Sequence, residues 1–209
     1  MSMTLININK KRGFALLITL LVVSVVISVT LAIVELSMKH LELSVNSRDS
    51  EVAFAAANAG LECAQRIRHS ASSTIESGAT TSFDCFEQTI NVVKEASLGF
   101  AVSGDPNYGK VFRYKNSIDW GSGVSGSNDR CSEIDIVAMV TKNGAAGDLV
   151  IGGNGNNHSL KKVFSGYPNN TKSCNPGGRC TLASVRGYSA KCAEKANSGT
   201  IMREILLEL

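Results

Sequence analysis

Residues 14–34 read FALLITLLVVSVVISVTLAIV, 21 consecutive positions without a charge, a proline or a glycine. At a rise of about 1.5 Å per residue, a helix over them is roughly 32 Å long, close to the hydrocarbon thickness of a bilayer. Thr19, Ser24, Ser28 and Thr30 fit such a helix, because a helical hydroxyl can bond back to its own backbone. Upstream stand Lys10, Lys11 and Arg12, with no acidic residue before them. Positive flanks stay in the cytoplasm, so the sequence predicts a single-pass protein of the cytoplasmic (inner) membrane with its C-terminal bulk outside.

A secretory signal peptide would have a shorter apolar stretch, followed by a small-residue cleavage site. Here the stretch runs on into MKHLELSVNSRDSEVAFAAANAGLECAQRI without a break. Met38, Leu41, Val45, Val52, Ala56, Ala59, Cys63 and Ile67 follow steps of three and four residues with one gap at Arg48, which continues one apolar stripe down a helix. Ala53, Ala55, Ala56, Ala57 and Ala59 favour the helix and allow close packing, while Gly60 is a mild interruption. The Ser70–Ser73 run and Gly78 end the pattern. The reading is one helix over 14–69, with 14–34 apolar enough for a membrane and 35–69 amphipathic.

Composition sets the outer bounds. The chain has 209 residues, 44% hydrophobic and 19% charged, which excludes a wholly disordered chain and suits one domain plus an appendage. The net charge of +3 is too small to argue for nucleic acid. The first of only 3 prolines is Pro106, so nothing upstream breaks the long helix by proline.

The string KKRGFALLITLLVVSVV resembles the start of a type IV pilin precursor: a short basic leader ending in glycine, then phenylalanine, then an apolar helix. The stretch LSMKHLELSVNSRDSEVAFAAANAGLECA extends the likeness to the PilX-like minor pilins and to the related pseudopilins of type II secretion. The resemblance spans about residues 10–66. It implies that a prepilin peptidase cuts after Gly13 and that Phe14 becomes the N-methylated first residue of the mature chain. Residues 1–13, the leader, carry +3, so the mature side chains would sum to zero. The further partners implied are other pilin subunits, bundled through the N-terminal helix, and an inner-membrane assembly platform; the assembled fibre stands outside the cell or in the periplasm. One departure narrows the likeness. Most pilins carry a glutamate at the fifth mature position, thought to pair with a neighbour's N-terminal amine, and here that position is Ile18. Members lacking it are proposed to sit at the fibre tip, so the resemblance implies a minor, initiating or tip subunit. The alternatives are a pseudopilin of type II secretion and, in another class, an uncleaved membrane-anchored extracellular binding module.

Residues 70–209 are long enough for one packed domain. A Ser/Thr/Gly-rich connector, SASSTIESGATTS, leads in. Strand character follows at 88–94, 100–104, 110–115, 133–142, 148–152, 160–166, 180–189 and 200–209, the last with a short helix as alternative. Gly/Asn/Asp/Ser turns separate these runs, and no strand–helix–strand alternation occurs. The expected fold class is α+β: a long N-terminal helix, transmembrane in its first half, packed against an antiparallel β-sheet domain that buries the stripe from Met38 to Ile67.

Six cysteines, Cys63, Cys85, Cys131, Cys174, Cys180 and Cys192, all lie on the expected outer side. An even number in an exported domain reads as a disulfide set, with fifteen possible connectivities. Cys174 and Cys180 enclose only the turn-forming NPGGR. Cys63 near the helix end and Cys85 after the connector would pin that connector, leaving Cys131 with Cys192. Zinc needs close pairs such as C-x-x-C, and the sequence holds none.

Other candidates read plainly as structure. Glu35 is a solvated residue just past the span. GGNGNN lacks the Lys-Ser/Thr of a phosphate loop. Asp105, Asn107, Asn128 and Asp129 lack the spacing of a calcium loop and fit turn chemistry. Asn157-His158-Ser159 and Asn169-Asn170-Thr171 match a glycosylation acceptor. Lys110, Arg113, Tyr114, Lys115, Lys161 and Lys162 read as a solvated sheet face in preference to a nucleic-acid strip. His40, His69 and His158, with no G-x-S-x-G or H-E-x-x-H, give no catalytic constellation, so neither an enzyme nor a cofactor is expected.

Overall fold

The computed structural model describes residues 9–86, 88–103, 109–121, 130–145, 147–153 and 159–209, with the backbone alone at 9–13. It divides into two compact units, Met1–Ser47 and Arg48–Leu209. Helix α1 (Asn9–Ser70) runs through the division. It begins five residues before Phe14, inside the basic segment.

In the first unit every described side chain is exposed. The hydroxyls of the apolar run close on their own helix: Thr19 Oγ1 donates to Leu16 O (2.9 Å), Ser24 Oγ to Leu21 O (2.8 Å), Ser28 Oγ to Val25 O (2.8 Å) and Thr30 Oγ1 to Val26 O (2.6 Å). No polar group in this run is left to demand water.

The second unit takes the remainder of α1 and continues through α2 (Ser72–Ser77), β1 (Thr81–Cys85), β2 (Gln88–Lys94), β3 (Val102–Ser103), β4 (Gly109–Asp119), β5 (Cys131–Thr141), β6 (Leu149–Gly152), α3 (Leu160–Val163), β7 (Thr171–Cys174), β8 (Arg179–Tyr188) and β9 (Met202–Glu208). Six strands form one antiparallel sheet in the order β1-β2-β4-β5-β8-β9, and β3-β6-β7 form a smaller one. The fold class is thus α+β, a long helix on an antiparallel sheet, with a second small sheet added.

Strand β5 shows how the sequence builds three layers. Its even residues Ile134, Ile136 and Ala138 join Ile67, Ile75, Tyr114 and Val185 in the core beneath the helix. Because side chains alternate across a strand, its odd residues face the other way. There Val137 and Met139 join Phe100, Leu149, Ile151, Leu160, Phe164 and Leu182 in a second core, under the small sheet and α3. Apolar residues run continuously where both faces are covered and alternate with Glu133 and Asp135 where one is not.

Two expectations are corrected. The buried stripe does not begin at Met38: Met38 is 64% exposed, Leu41 and Val45 are exposed too, and burial starts at Ala53. Residues 160–166 are not a strand. Leu160, Val163 and Phe164 are the buried positions, a spacing of three and four that a helical turn satisfies and a strand does not. The connector holds α2 and the start of β1, and Ile75, its one large apolar side chain, is fully buried and anchors it. The strand expected at 110–115 is present and runs on as β4 to Asp119, which pairs with Cys131.

Candidate functional site

The most distinctive surface is the apolar run itself. Its mean hydropathy reaches 2.9 over the best window, none of that window is buried within the protein, and the helix is long and apolar enough to cross a membrane. An exposed apolar area of this extent requires an apolar environment from outside the chain, since water around it is costly. Gly13 and Phe14 lie within α1, and the Phe14 side chain is 69% exposed. Ile18 is also exposed and offers no carboxylate. Beyond the run Glu35, Lys39, His40 and Glu42 are exposed, so charge returns to the helix surface within about two turns of Val34.

The cysteines form three bridges: Cys63–Cys85, Cys131–Cys192 and Cys174–Cys180. The first ties the end of α1 to β1. The second fastens a short 3-10 turn at Cys192–Glu194 to β5, where the Cys192 N–H also donates to Asp119 Oδ1 at 2.7 Å. The third joins β7 of the small sheet to β8 of the large one. Asp119, Cys131 and Cys192 lie close together, but both sulfurs are spent in the bridge and leave no thiolate pair for a metal.

The solvated sheet face expected of the basic residues is corrected for Tyr114 and Arg113, which are both buried because each is covered on its own side of β4. Tyr114 is buried beneath the helix, where its hydroxyl donates to Ile75 O at 2.8 Å. Arg113 points to the opposite face and forms a bidentate pair with Asp135, Nε to Oδ1 at 2.9 Å and Nη2 to Oδ2 at 2.6 Å. Lys110 and Lys115 remain exposed on β4, and Lys161 and Lys162 on α3. His40 and His69 are exposed and far apart along α1. Asn169, Asn170 and Thr171 are exposed ahead of and at the start of β7. Asp105, Asn107, Asn128, Asp129, Asn157 and His158 lie outside the described residues.

One group of residues escaped the sequence reading. Lys115, Ser117, Glu133, Asp135, Ser184 and Arg186 line a concavity of about 200 Å³ on the sheet face away from the helix. The available signal was the alternation in KVFRYKNSID and EIDIV, which separates these polar residues from the core residues between them.

No family model, curated protein or solved structure matches the chain.

Proposed function

We propose that the chain is the precursor of a minor pilin-like subunit: inserted as a single-pass protein, cut after Gly13, methylated on Phe14, and withdrawn from the bilayer into a helical fibre. The observation that carries this reading is the pairing of KKRGF with an apolar helix that none of the described residues covers. A helix whose hydroxyls are all bonded internally is equally suited to lipid tails and to a bundle of similar helices, so one surface serves both states. Withdrawal is costly unless other apolar helices replace the lipid, which makes neighbouring subunits the natural partners. Ile18 cannot offer a carboxylate to a neighbour's amine, and this favours an initiating or tip position over that of the bulk subunit.

The test is the mass of the intact chain recovered from cell envelopes. The expected species begins at methylated Phe14, and Gly13→Leu keeps the chain at precursor mass and out of filaments. A wild-type chain still beginning at Met1, or a Gly13→Leu chain that behaves normally, rejects processing and leaves an uncleaved anchor carrying an exported domain. Long filaments formed by this protein alone would reject the minor role.

A further inference from the structure

The polar concavity has a defined construction. Register places Lys115 opposite Asp135 and Ser117 opposite Glu133; Asp135 lies opposite Ser184, Glu133 opposite Arg186, and Arg186 opposite Glu204. Their strand neighbours Tyr114, Ile118, Ile134, Ile136, Ala183 and Val185 fill the core under the helix, so these polar residues share the other face. On that face the adjoining row, which includes Val137 and Leu182, is roofed by the second core. The roof stops there: Lys115 and Ser117 are exposed and Glu133 and Arg186 half-buried, while Asp135 and Ser184 lie buried at the bottom of the hollow.

Both sides of the hollow are held in place. Arg113 Nη1 donates to Leu98 O at 2.8 Å, and Arg186 Nη2 to Val163 O at 3.0 Å, fixing the roof's edge. Opposite, Lys195 pairs with Glu133 from the segment that the Cys131–Cys192 bridge fastens down. The floor is therefore set before any ligand arrives, which lowers the ordering cost of binding.

We propose that this hollow binds a neutral saccharide unit. Three features select that chemistry. Its volume of about 200 Å³ is far more than one water needs and leaves room for a ligand the size of a sugar ring. Its charges nearly balance: Lys115 and Arg186 stand among Glu133 and Asp135, with Arg113, Lys195 and Glu204 adjoining. An anion would meet the two carboxylates, and an apolar guest would strip their water without replacing its hydrogen bonds. Finally, the floor keeps spare valences of both kinds. Asp135 accepts two bonds from Arg113, and Glu133 accepts from Lys195 and Tyr188, of about four positions on each carboxylate. Lys115 Nζ and Ser117 Oγ make no hydrogen bond among the described residues. Hydroxyls, which donate and accept, match such a surface. The inference is independent of how the apolar helix is used.

The test uses the full chain in a sugar-free zwitterionic detergent. Methyl glycosides of glucose, galactose, mannose and N-acetylglucosamine serve as probes, each titrated to about 50 mM, since one unit bound by a few hydrogen bonds has a millimolar Kd. The expected result is a saturable chemical-shift change for at least one glycoside, confined to amides around Ser117, Glu133, Asp135 and Arg186. Lys115→Ala with Ser117→Ala should weaken it roughly five-fold or more, with the thermal midpoint unchanged, because neither side chain has a structural partner. The proposal is overturned by no saturable change with any of the four glycosides. Equal affinity in the double variant, or acetate competing for the same amides as tightly as the best glycoside, overturns it as well.

Discussion

At Gly187 the sheet comes close against the helix backbone. A Cβ built on it would fall on Ala53 O and Ala57 N, both backbone atoms that cannot swing aside. Gly60 faces the same seam from the helix: its Cβ would lie 2.7 Å from Val185 Cγ1 and 2.9 Å from Ser132 Cβ. Small residues on both sides let the Ala-rich turn of α1 sit against β5 and β8. A hydrogen-bond chain crosses beside them, from Trp120 Nε1 to Ser132 Oγ (2.6 Å) and from that hydroxyl to Ala56 O (2.5 Å). Gly187→Ala should destabilise the second unit by roughly 3 kcal/mol or more, the upper end of overpacking costs. Trp120 is the sole tryptophan, so its fluorescence during thermal unfolding measures this directly. An unchanged midpoint would show that the seam yields freely. From the sequence Gly60 reads as an interruption of α1. Its use is set by a strand far away in the chain, and no local pattern carries that.

At the level of elements, the three bridges close loops of very different length. Sequence separations are 61 for Cys131–Cys192, 22 for Cys63–Cys85 and 6 for Cys174–Cys180. If they act by restricting the unfolded chain, they contribute about 4, 3 and 2 kcal/mol in that order. Double Cys→Ser variants removed one bridge at a time should rank accordingly in chemical denaturation. A larger loss from the Cys174–Cys180 pair than from Cys131–Cys192 would mean that the bridge between the two sheets holds the native packing as well. The same scale explains the error at 160–166. Short apolar runs fit either period, and what selects the turn is the second core, to which Leu160, Val163 and Phe164 present one face. Strand β5, by contrast, is long enough for its alternation to declare which half is covered.

The whole second unit depends on carboxylates that fasten its outermost segments. Burial raises the pKa of Glu133, but hydrogen bonds from Lys195 and Tyr188 outweigh it and hold the group below the ordinary 4.5. Glu204 is likewise lowered on balance: burial opposes, and Ser184, Ser165 and Arg186 prevail. Glu208 is lowered by hydrogen bonds from Lys172 and Tyr167. A carboxyl whose folded pKa is depressed adds stability that is complete above its unfolded value and is lost as pH falls through the folded one. The denaturation midpoint should hold between about pH 7 and 5 and then drop below 4.5, and Glu208→Gln should reduce that drop. A midpoint indifferent to acid would contradict these contacts. At the alkaline end Tyr188 is pushed up to about 12 by burial and by its bond to Glu133. Its contribution is full below the ordinary 10 and disappears as pH rises through about 12. Burial raises the phenols of Tyr167 and Tyr114 as well, so ultraviolet titration should find several late-ionising phenols, one fewer in Tyr188→Phe.

The long helix, the apolar run from Phe14 to Val34 and the α+β class can all be read along the chain. Each rests on interactions between residues near in the chain or on a period sustained over many turns. The resemblance of KKRGF and the run after it is legible for the same reason. Long-range packing sets where burial begins on α1, that Leu160–Val163 is helical, that a second small sheet lies over part of the first, and that six scattered polar residues share one hollow. Those outcomes depend on which distant strand lies opposite a given side chain, and local spacing does not contain that information.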